Sequence, residues 1–418
     1  MSRWEINEPI DWWGKVVFLF LCLAIALLGV GGIKVPLLGL RFSAWSVSRM
    51  TFLFWLLWKC LVWRRYGRQE LRWQKGLLPT PLLFFFSFVT ISLLPDFREW
   101  GDYRYFFFAF LHYIMVVDVF NRKGRPMLLL CLLGIVPGFL FFRGVVVEPS
   151  VLNLSSMARF GYPLDHANTA GYIFSIGIPL SLAVIEGKTG WLRPLAGSSL
   201  GAQLLGLFFT YSRGAWLGWV VSMLFLGLTA KGIKKAWLIL VLGLAILFTI
   251  PSLKSRLLNR ADPLNYGPIH FRIQLIKDAF AVGMENPLLG VGYGRGRVKQ
   301  AVRERRQGTA DEKTRIWHAH NVYLDLFAGT GLLGLGAFLW LLSDALVKIC
   351  RSAYTRQGKR SRFVHIGIAS ALIALIVTGL GDVPFYHHET RIFLFTLLAL
   401  VHLHSREGPS SCTFSESV

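Results

Sequence analysis

Residues 317–334, WHAHNVYLDLFAGTGLLG, mark the point where a polar segment becomes an apolar helix that runs on to Trp340. An apolar run of this length is typical of a helix that crosses a membrane. His318, His320 and Asn321 stand at its polar end. Because the dipole at a helix N-terminus disfavours an imidazolium, a histidine placed there tends to stay neutral and able to accept a proton. From this stretch alone, a simple helix cap with two solvated histidines is an equally good interpretation.

The composition extends the membrane interpretation to the whole chain. Of the 418 residues, 54% are hydrophobic and only 16% are charged. The sequence therefore predicts an all-α, polytopic membrane protein with about twelve transmembrane helices. We expect residues 1–143 to carry N-terminal transmembrane helices, and residues 144–418 to form a core that includes one large outer loop at 251–317. The predicted spans are residues 15–33, 45–63, 77–94, 104–120, 126–142, 167–186, 195–211, 213–230, 236–250, 319–342, 363–380 and 389–404.

Basic residues indicate the orientation of these spans. They cluster in alternate short loops, for example Arg64, Arg65 and Arg68 after the second span and Arg122 and Lys123 after the fourth. By the positive-inside rule these loops are cytoplasmic, with both termini inside. The net charge of +22 is then explained by orientation and by anionic lipid headgroups, so the membrane lipids are expected partners and nucleic acid is not.

The large outer loop contains an amphipathic helix pattern at residues 268–283. Ile273 and Phe280 share one apolar face of this predicted helix, and Arg272 falls in the same apolar half. An arginine in such a place either snorkels towards water or meets an anion.

Three further polar segments lie on the outer side. Residues 143–166 end in Asp165 and His166, and the segment GDVPFYHHETR contains Asp382. The turn TYSRGAWLGW places Arg213 at the membrane surface, against the positive-inside bias. An orienting role does not explain this arginine, although a snorkelling surface arginine remains an alternative.

Two arginines and a histidine at a lipid surface suit glycosyl transfer from a lipid diphosphate. A guanidinium binds phosphate oxygens in paired geometry, and a neutral histidine can remove the proton of an attacking sugar hydroxyl. Because arginine supplies the positive charge, we expect no metal site and no other cofactor.

Three motifs resemble the O-antigen ligase and polymerase superfamily of bacterial membrane glycosyltransferases. They are His320–Asn321 followed by nine residues and GLLG, the segment TYSRGAWLG around Arg213, and FRIQLIKDAF running into NPLLGVGYG around Arg272. The resemblance covers most of residues 150–400.

The resemblance implies an undecaprenyl-diphosphate-linked glycan as donor, His320 as catalytic base, and Arg213 and Arg272 as diphosphate-binding residues. Many members carry an acid two residues before the GLLG-type turn, where this chain has Gly329. If that acid orients the histidine elsewhere, Asp325 or Asp382 would take its place here. The candidate supporting residues are His318, Asn321, Asp165, His166 and Asp382.

The resemblance leaves the acceptor open. We favour an O-antigen ligase of the bacterial inner membrane that uses a lipid A–core acceptor on the periplasmic side. A polymerase that extends a growing glycan is the alternative, and protein glycosyltransferases also occur in the superfamily. A lipid-linked glycan flippase or other transporter is less favoured. It would be indicated chiefly by His112 and Asp118 in the fourth predicted span, which hint at a proton path.

Overall fold

The computed structural model describes residues 9–27, 33–35, 40–66, 100–121, 125–152, 159–161, 164, 166–187, 190–229, 234–258, 268–306, 318–355 and 358–406. The regular secondary structure of this part is helical apart from one short antiparallel pair of strands, in which Ile33 pairs with Phe42 and Val35 with Leu40. The elements are α1 (Pro9–Ala26), β1 (Ile33–Val35), β2 (Leu40–Phe42), α2 (Ala44–Tyr66), α3 (Trp100–Phe120), α4 (Arg125–Val147), α5 (Ala167–Glu186), α6 (Leu192–Phe209), α7 (Arg213–Thr229), α8 (Lys234–Thr249), α9 (Pro251–Leu258), α10 (Pro268–Glu285), α11 (Arg295–Arg305), α12 (Val322–Thr355), α13 (Lys359–Thr378) and α14 (His388–Arg406), with 3-10 turns at Pro149–Leu152 and Pro384–Tyr386.

The helical fold predicted from the sequence is confirmed. Every predicted span overlaps a helix except 77–94, which lies outside the described residues; the first predicted span, 15–33, extends beyond its helix, which ends at Ala26. By length and composition, α4, α5, α12 and α13 are long and apolar enough to cross a membrane, and shorter apolar helices occur within α1, α3 and α7. The total of about twelve spans stays a prediction. The expected boundary at residues 143–144 falls inside α4, and that division also stays a prediction.

A buried polar cluster joins α4, α5 and α6. Pro137 lies inside α4 and lacks the N–H that would bond to the carbonyl of Leu133. On the next residue, the carbonyl oxygen of Gly134 accepts hydrogen bonds from Ser181 Oγ at 2.6 Å, Gln203 Nε2 at 2.9 Å and Ser199 Oγ at 3.2 Å. In an apolar bundle, freed backbone groups need partners on neighbouring helices, so this cluster fixes how the three helices pack.

Helix α5 lies at the centre of the bundle, and its residues 167–184 are all buried. Small residues let its neighbours approach closely. A side-chain carbon added to Gly367 of α13 would lie 2.8 Å from the Cβ atom of Ala183, and one added to Gly177 would collide with Gln203. At its other end, the start of α5 lies beside the loop that follows α13, where Asn168 bonds to Asp382.

The two residues that hinted at a proton path bind neighbouring helices. His112 contacts Ser48 Oγ at 2.7 Å and Thr396 Oγ1 at 3.0 Å, which links α3 to α2 and α14. Asp118 pairs with Lys59 at 2.7 Å. Both groups therefore have a structural use in helix packing.

Helix α12 is broken at Gly331, whose φ of 65° and ψ of −167° are not helical. A helix end leaves backbone N–H and C=O groups without partners. Here residues 286–294, NPLLGVGYG, satisfy these groups on both sides of the break. Four backbone hydrogen bonds do so, Val291 N to Ala328 O at 2.8 Å, Gly292 N to Gly329 O at 2.9 Å, Leu332 N to Pro287 O at 2.7 Å, and Leu333 N to Leu288 O at 3.4 Å.

Two glycines make this close backbone contact feasible. A side-chain carbon on Gly290 would lie 2.5 Å from the backbone of Gly329, and one on Gly331 would collide with the carbonyl of Leu288. Gly331 also adopts a conformation that is essentially restricted to glycine. The glycine run of the outer loop therefore serves to bind the broken helix.

Helices α10 and α11 form a small unit with its own buried core. Leu275, Ala279 and Val282 of α10 pack against Val298 and Val302 of α11. This buried face differs from the apolar face recognised in the sequence. The predicted partners Ile273 and Phe280 do lie on one side of α10, but that side is exposed.

We predict that Gly331→Ala destabilises the protein and that Gly336→Ala, in the same helix, does not. The first change forces an alanine into a glycine-only backbone conformation, which costs about 1–3 kcal/mol, and adds the collision with Leu288. Gly336 has nothing within 4 Å of an added side-chain carbon. Thermal unfolding in detergent, with membrane levels measured alongside, distinguishes the two variants. Equal melting temperatures would contradict the proposed role of the break.

Candidate functional site

Asp382 lies at the centre of the site, in the turn between α13 and α14, and is only 5% exposed. Its Oδ1 atom lies 3.2 Å from His320 Nδ1, 3.3 Å from His318 Nε2 and 2.9 Å from the backbone N–H of Val383. Its Oδ2 atom accepts a hydrogen bond from Asn168 Nδ2 at 2.6 Å. Groups from three separate parts of the chain thus meet at one carboxylate.

Asp382 is ionised in this setting. Burial by itself would raise the pKa of this carboxyl, but the hydrogen bonds with His320 and Tyr172 hold its pKa well below its usual value, and so does the charge of His318 or His320 whenever either imidazole is protonated. An ionised carboxylate only accepts hydrogen bonds. Both imidazoles and Asn168 must therefore present N–H groups to it.

The hydrogen bonds define the tautomer of each histidine. His318 Nδ1 accepts the backbone N–H of His320 at 3.1 Å, so the ring proton of His318 lies on Nε2 and faces Asp382. His320 presents Nδ1 to the same carboxylate, so its Nε2 carries the lone pair. Within the described part of the chain, His320 Nε2 makes no hydrogen bond, and its side chain is 21% exposed. His320 is therefore the imidazole with an accessible proton acceptor.

The backbone around His320 is held in a conformation that few side chains adopt. Its φ is 51°, in the left-handed region, which typically costs about 1–3 kcal/mol. Asp325, one turn into α12, accepts the backbone N–H of Ala319 at 3.2 Å and the hydroxyl of Tyr386. Of the two acids considered in the sequence, Asp382 contacts the histidines and Asp325 fixes the backbone between them.

Asn321 caps the helix that follows. Its Oδ1 accepts the N–H groups of Tyr323 and Leu324, each at 3.0 Å, and its amide donates to the carbonyl of Leu380 at 3.2 Å. Such a side chain satisfies the unpaired N–H groups at a helix start. Asn321 therefore supports the loop of His320 and also ties it to the turn that carries Asp382.

Asn168 connects Asp382 to the segment that carries Arg213. The Asn168 Oδ1 atom accepts Arg159 Nη2 at 2.5 Å, and Arg159 Nε donates to the carbonyl of Thr210 at 3.0 Å. Thr210 begins the turn that leads into Arg213, the half-buried first residue of α7. Arg159 was missed by the sequence analysis. Its position a few residues before His166, in a segment expected on the outer side, was the available signal.

The turn before α7 also lies directly beside Asp382 in space. A side-chain carbon added to Gly214 would lie 3.8 Å from the Cα atom of Gly381. Arg213 and Asp382 are the immediate neighbours of these two glycines in the chain. The structure therefore brings the Arg213 segment to the histidine pair, although they are more than 100 residues apart.

His166 and Arg272 complete the neighbourhood. His166 caps α5 through its Nδ1, which accepts the N–H of Asn168 at 3.3 Å. Partial burial lowers the pKa of His166, Asp382 opposes this, and the positive charges of Arg159, His320 and Arg272 lower it further. Arg272, exposed on α10, thus lies within electrostatic range of the site. Asp165, the remaining supporting candidate, lies outside the described residues.

His318, His320 and Asp382 also have the chemistry of a metal site. Their ligand atoms all lie within 4.8 Å of one another, which a divalent cation such as zinc would accept. The same three atoms equally satisfy one another through the hydrogen bonds described above. The expectation of a metal-free site therefore stays a prediction.

The arrangement has the features of a site for general-base chemistry on an anionic substrate. An ionised carboxylate fixes the histidine tautomer, the outward nitrogen can accept a proton, and arginines lie nearby.

Comparison with known proteins agrees with the motifs. The O-antigen ligase family model matches residues 199–339, from within α6 to within α12. This range contains Arg213, Arg272, His318 and His320, but not Asp382. No curated protein matches the chain. The resemblance found in the sequence is thus confirmed over residues 199–339, which are similar to the O-antigen ligase family.

Proposed function

We propose that the protein is a lipid-linked glycan glycosyltransferase of the O-antigen ligase type. It would transfer a glycan from undecaprenyl diphosphate to lipid A–core at the periplasmic face of the bacterial inner membrane. One observation carries the proposal, namely that Asp382 orients His320 so that an unoccupied ring nitrogen faces outward beside the segments of Arg213 and Arg272. The family match over this region supports it.

In the proposed reaction, His320 Nε2 takes the proton of an acceptor sugar hydroxyl as its oxygen attacks the anomeric carbon of the donor glycan. The bond between that carbon and the diphosphate oxygen breaks, and the electron pair leaves with the diphosphate. Arg213 and Arg272 stabilise the added negative charge on the leaving group through paired N–H donors. Asp382 stabilises the imidazolium that forms, as an ionised partner to His320.

The ligase is favoured over a polymerase because of the charge on α11. This helix carries five basic residues and one acidic residue, and it follows α10 in the unit that bears Arg272. An excess of positive charge suits the phosphorylated sugars of a lipid A–core acceptor. A polymerase would use the same base and the same arginines but would accept a growing glycan on its lipid carrier.

A transporter is the less supported alternative. The buried His112 and the ion-paired Asp118, which first suggested a proton path, both bind neighbouring helices. The imidazole with an accessible proton acceptor, His320, lies instead at the Asp382 site. We therefore assign the chemistry to that site.

We predict that the purified protein, reconstituted with lipid-linked glycan donor and lipid A–core, forms a glycosylated lipid A–core product and does so in the presence of EDTA. Arginines rather than a metal are assigned to the diphosphate, so chelation should leave the rate unchanged. The product is measured by gel mobility shift and mass spectrometry, with a parallel reaction that contains only the lipid-linked donor.

Each other outcome of this reconstitution has a defined meaning. Longer glycan on the carrier in the donor-only reaction, without lipid A–core product, would replace the ligase by the polymerase. Carrier moved across the bilayer without any product would indicate a transporter. Activity lost in EDTA and restored by zinc would make the cluster of His318, His320 and Asp382 a metal site.

We predict that His320→Ala lowers transfer by about 10²–10⁴-fold, the usual contribution of a general base, while donor binding persists. His318→Ala should cost about tenfold or less, because it removes hydrogen bonds that position His320 and not the proton acceptor itself. Initial rates and donor binding are measured for both variants at matched membrane levels. An inactive His318 variant together with an active His320 variant would show that the base is not His320.

We predict that Arg213→Lys and Arg272→Lys each weaken both donor binding and turnover. A lysine keeps the charge but lacks the planar pair of donors that match a diphosphate. Arg303→Lys, on the basic helix α11, is the matched control and should leave donor binding unchanged. Full activity of both test variants would remove the arginines from the proposed mechanism.

A further inference from the structure

Helix α10 has apolar residues on two opposite faces. One face, Leu275 with Ala279 and Val282, is buried in the core shared with α11. At about 100° per residue, the opposite face is a stripe of Ile273, Phe280 and Met284, which are 45%, 50% and 57% exposed. We call these three residues the outer stripe. Its exposure requires an explanation, because large apolar side chains usually stay out of water.

The outer stripe continues onto the broken helix α12. Leu288, three residues after the end of α10, is 62% exposed, and its carbonyl accepts the N–H of Leu333. Leu332 and Leu333, just after the break, are exposed as well. One apolar surface therefore runs from α10 through the loop to α12.

Helix α12 provides a reference for depth, because it is one of the helices long and apolar enough to cross a membrane. Helix α10 packs directly on the first part of α12. The rings of Phe280 and Phe327 lie 6.0 Å apart, and Gly283 allows close contact with Phe327. The outer stripe thus lies beside the part of α12 where the polar site gives way to the apolar span.

Lys277 distinguishes between a lipid and a protein as the occupant of this surface. It lies within the outer stripe by helical spacing, is exposed, and makes no ion pair with any residue that the structure describes. A lysine in the middle of a dry protein interface would lose its hydration without compensation, and lysine is depleted there. At a bilayer surface its stem can lie along the apolar side chains while its ammonium reaches the lipid phosphates.

We propose that the outer stripe of α10, together with Leu288, contacts the acyl chains of the outer leaflet, with Lys277 directed to the headgroups. The contact continues the lipid-facing surface of α12 and does not depend on any catalytic activity. It has one consequence that does rest on the proposed function. Arg272, the residue before Ile273, would then lie at the depth where a lipid-linked diphosphate is presented.

The test places a photoreactive, diazirine-bearing phenylalanine analogue at Phe280 of the full chain in phospholipid nanodiscs. The same analogue at Leu339, an exposed residue of α12, is the positive control, and at Glu285, on a different side of α10, the negative control. Met284 is a second test position in case the Phe280 variant does not insert. Phospholipid adducts are counted after irradiation by intact mass spectrometry, which involves no glycosyl transfer.

We expect adducts at positions 280 and 284 to reach about the level found at position 339, and adducts at position 285 to be several-fold fewer. Adducts at 280 and 284 as rare as at 285 would overturn the proposal. Crosslinks from these positions to a second copy of the chain, in place of lipid, would overturn it too. Because the readout is independent of turnover, an inactive enzyme with normal adducts would count against the proposed function alone.

Discussion

The site depends on one buried carboxylate. Asp382 accepts hydrogen bonds from His320 and Asn168 and lies 3.3 Å from His318 Nε2, and Asn168 is 150 or more residues away from both histidines in the chain. An ionised carboxylate with so little exposure is tolerated only when such donors surround it. The hydrogen bonds to Asp382 therefore restrict the positions of the donor side chains as well as that of the carboxylate. This constraint gives His320 a defined tautomer in a segment that has no regular secondary structure.

A second constraint positions the elements around that carboxylate. The break at Gly331 allows residues 286–294 to bond to both halves of α12, so the α10–α11 unit is fixed to the same helix that begins just after His320. Because Asn321 caps this helix and Asp325 holds the preceding turn, one element orients the base and carries the outer unit. Arg272 and His320 are thus positioned by a shared support, although separate segments carry them.

Much of this could be predicted from the sequence, and the limits have physical causes. The length of apolar runs predicts helices well, and the histidine pair at the start of α12 was recognisable from residue type alone. The sequence did not show that Asp382, and not Asp325, contacts the imidazoles. Both acids lie near the histidine loop in the folded protein, and only the fold shows which of them contacts a histidine ring. The buried face of α10 was missed because this helix has two apolar faces. Periodicity alone does not show which of two apolar faces packs against the rest of the protein. Arg159 gives no periodic signal at all.

The charges of the site have opposing effects that suit the proposed reaction. Burial is the main cause of the lowered pKa of His166; Asp382 opposes it, and the charges of Arg159 and Arg272 add to it. Before a donor binds, these arginines therefore favour the neutral form of His166. A bound diphosphate would neutralise part of their charge, and the departing diphosphate would do so further as negative charge develops on it. With this positive charge partly neutralised, the imidazolium formed on His320 would be stabilised by Asp382 in the same step in which the arginines stabilise the leaving group. Arg272 lowers the pKa of His166 and is also one of the two arginines assigned to the leaving group, so its charge would link the histidine cluster to the departing diphosphate.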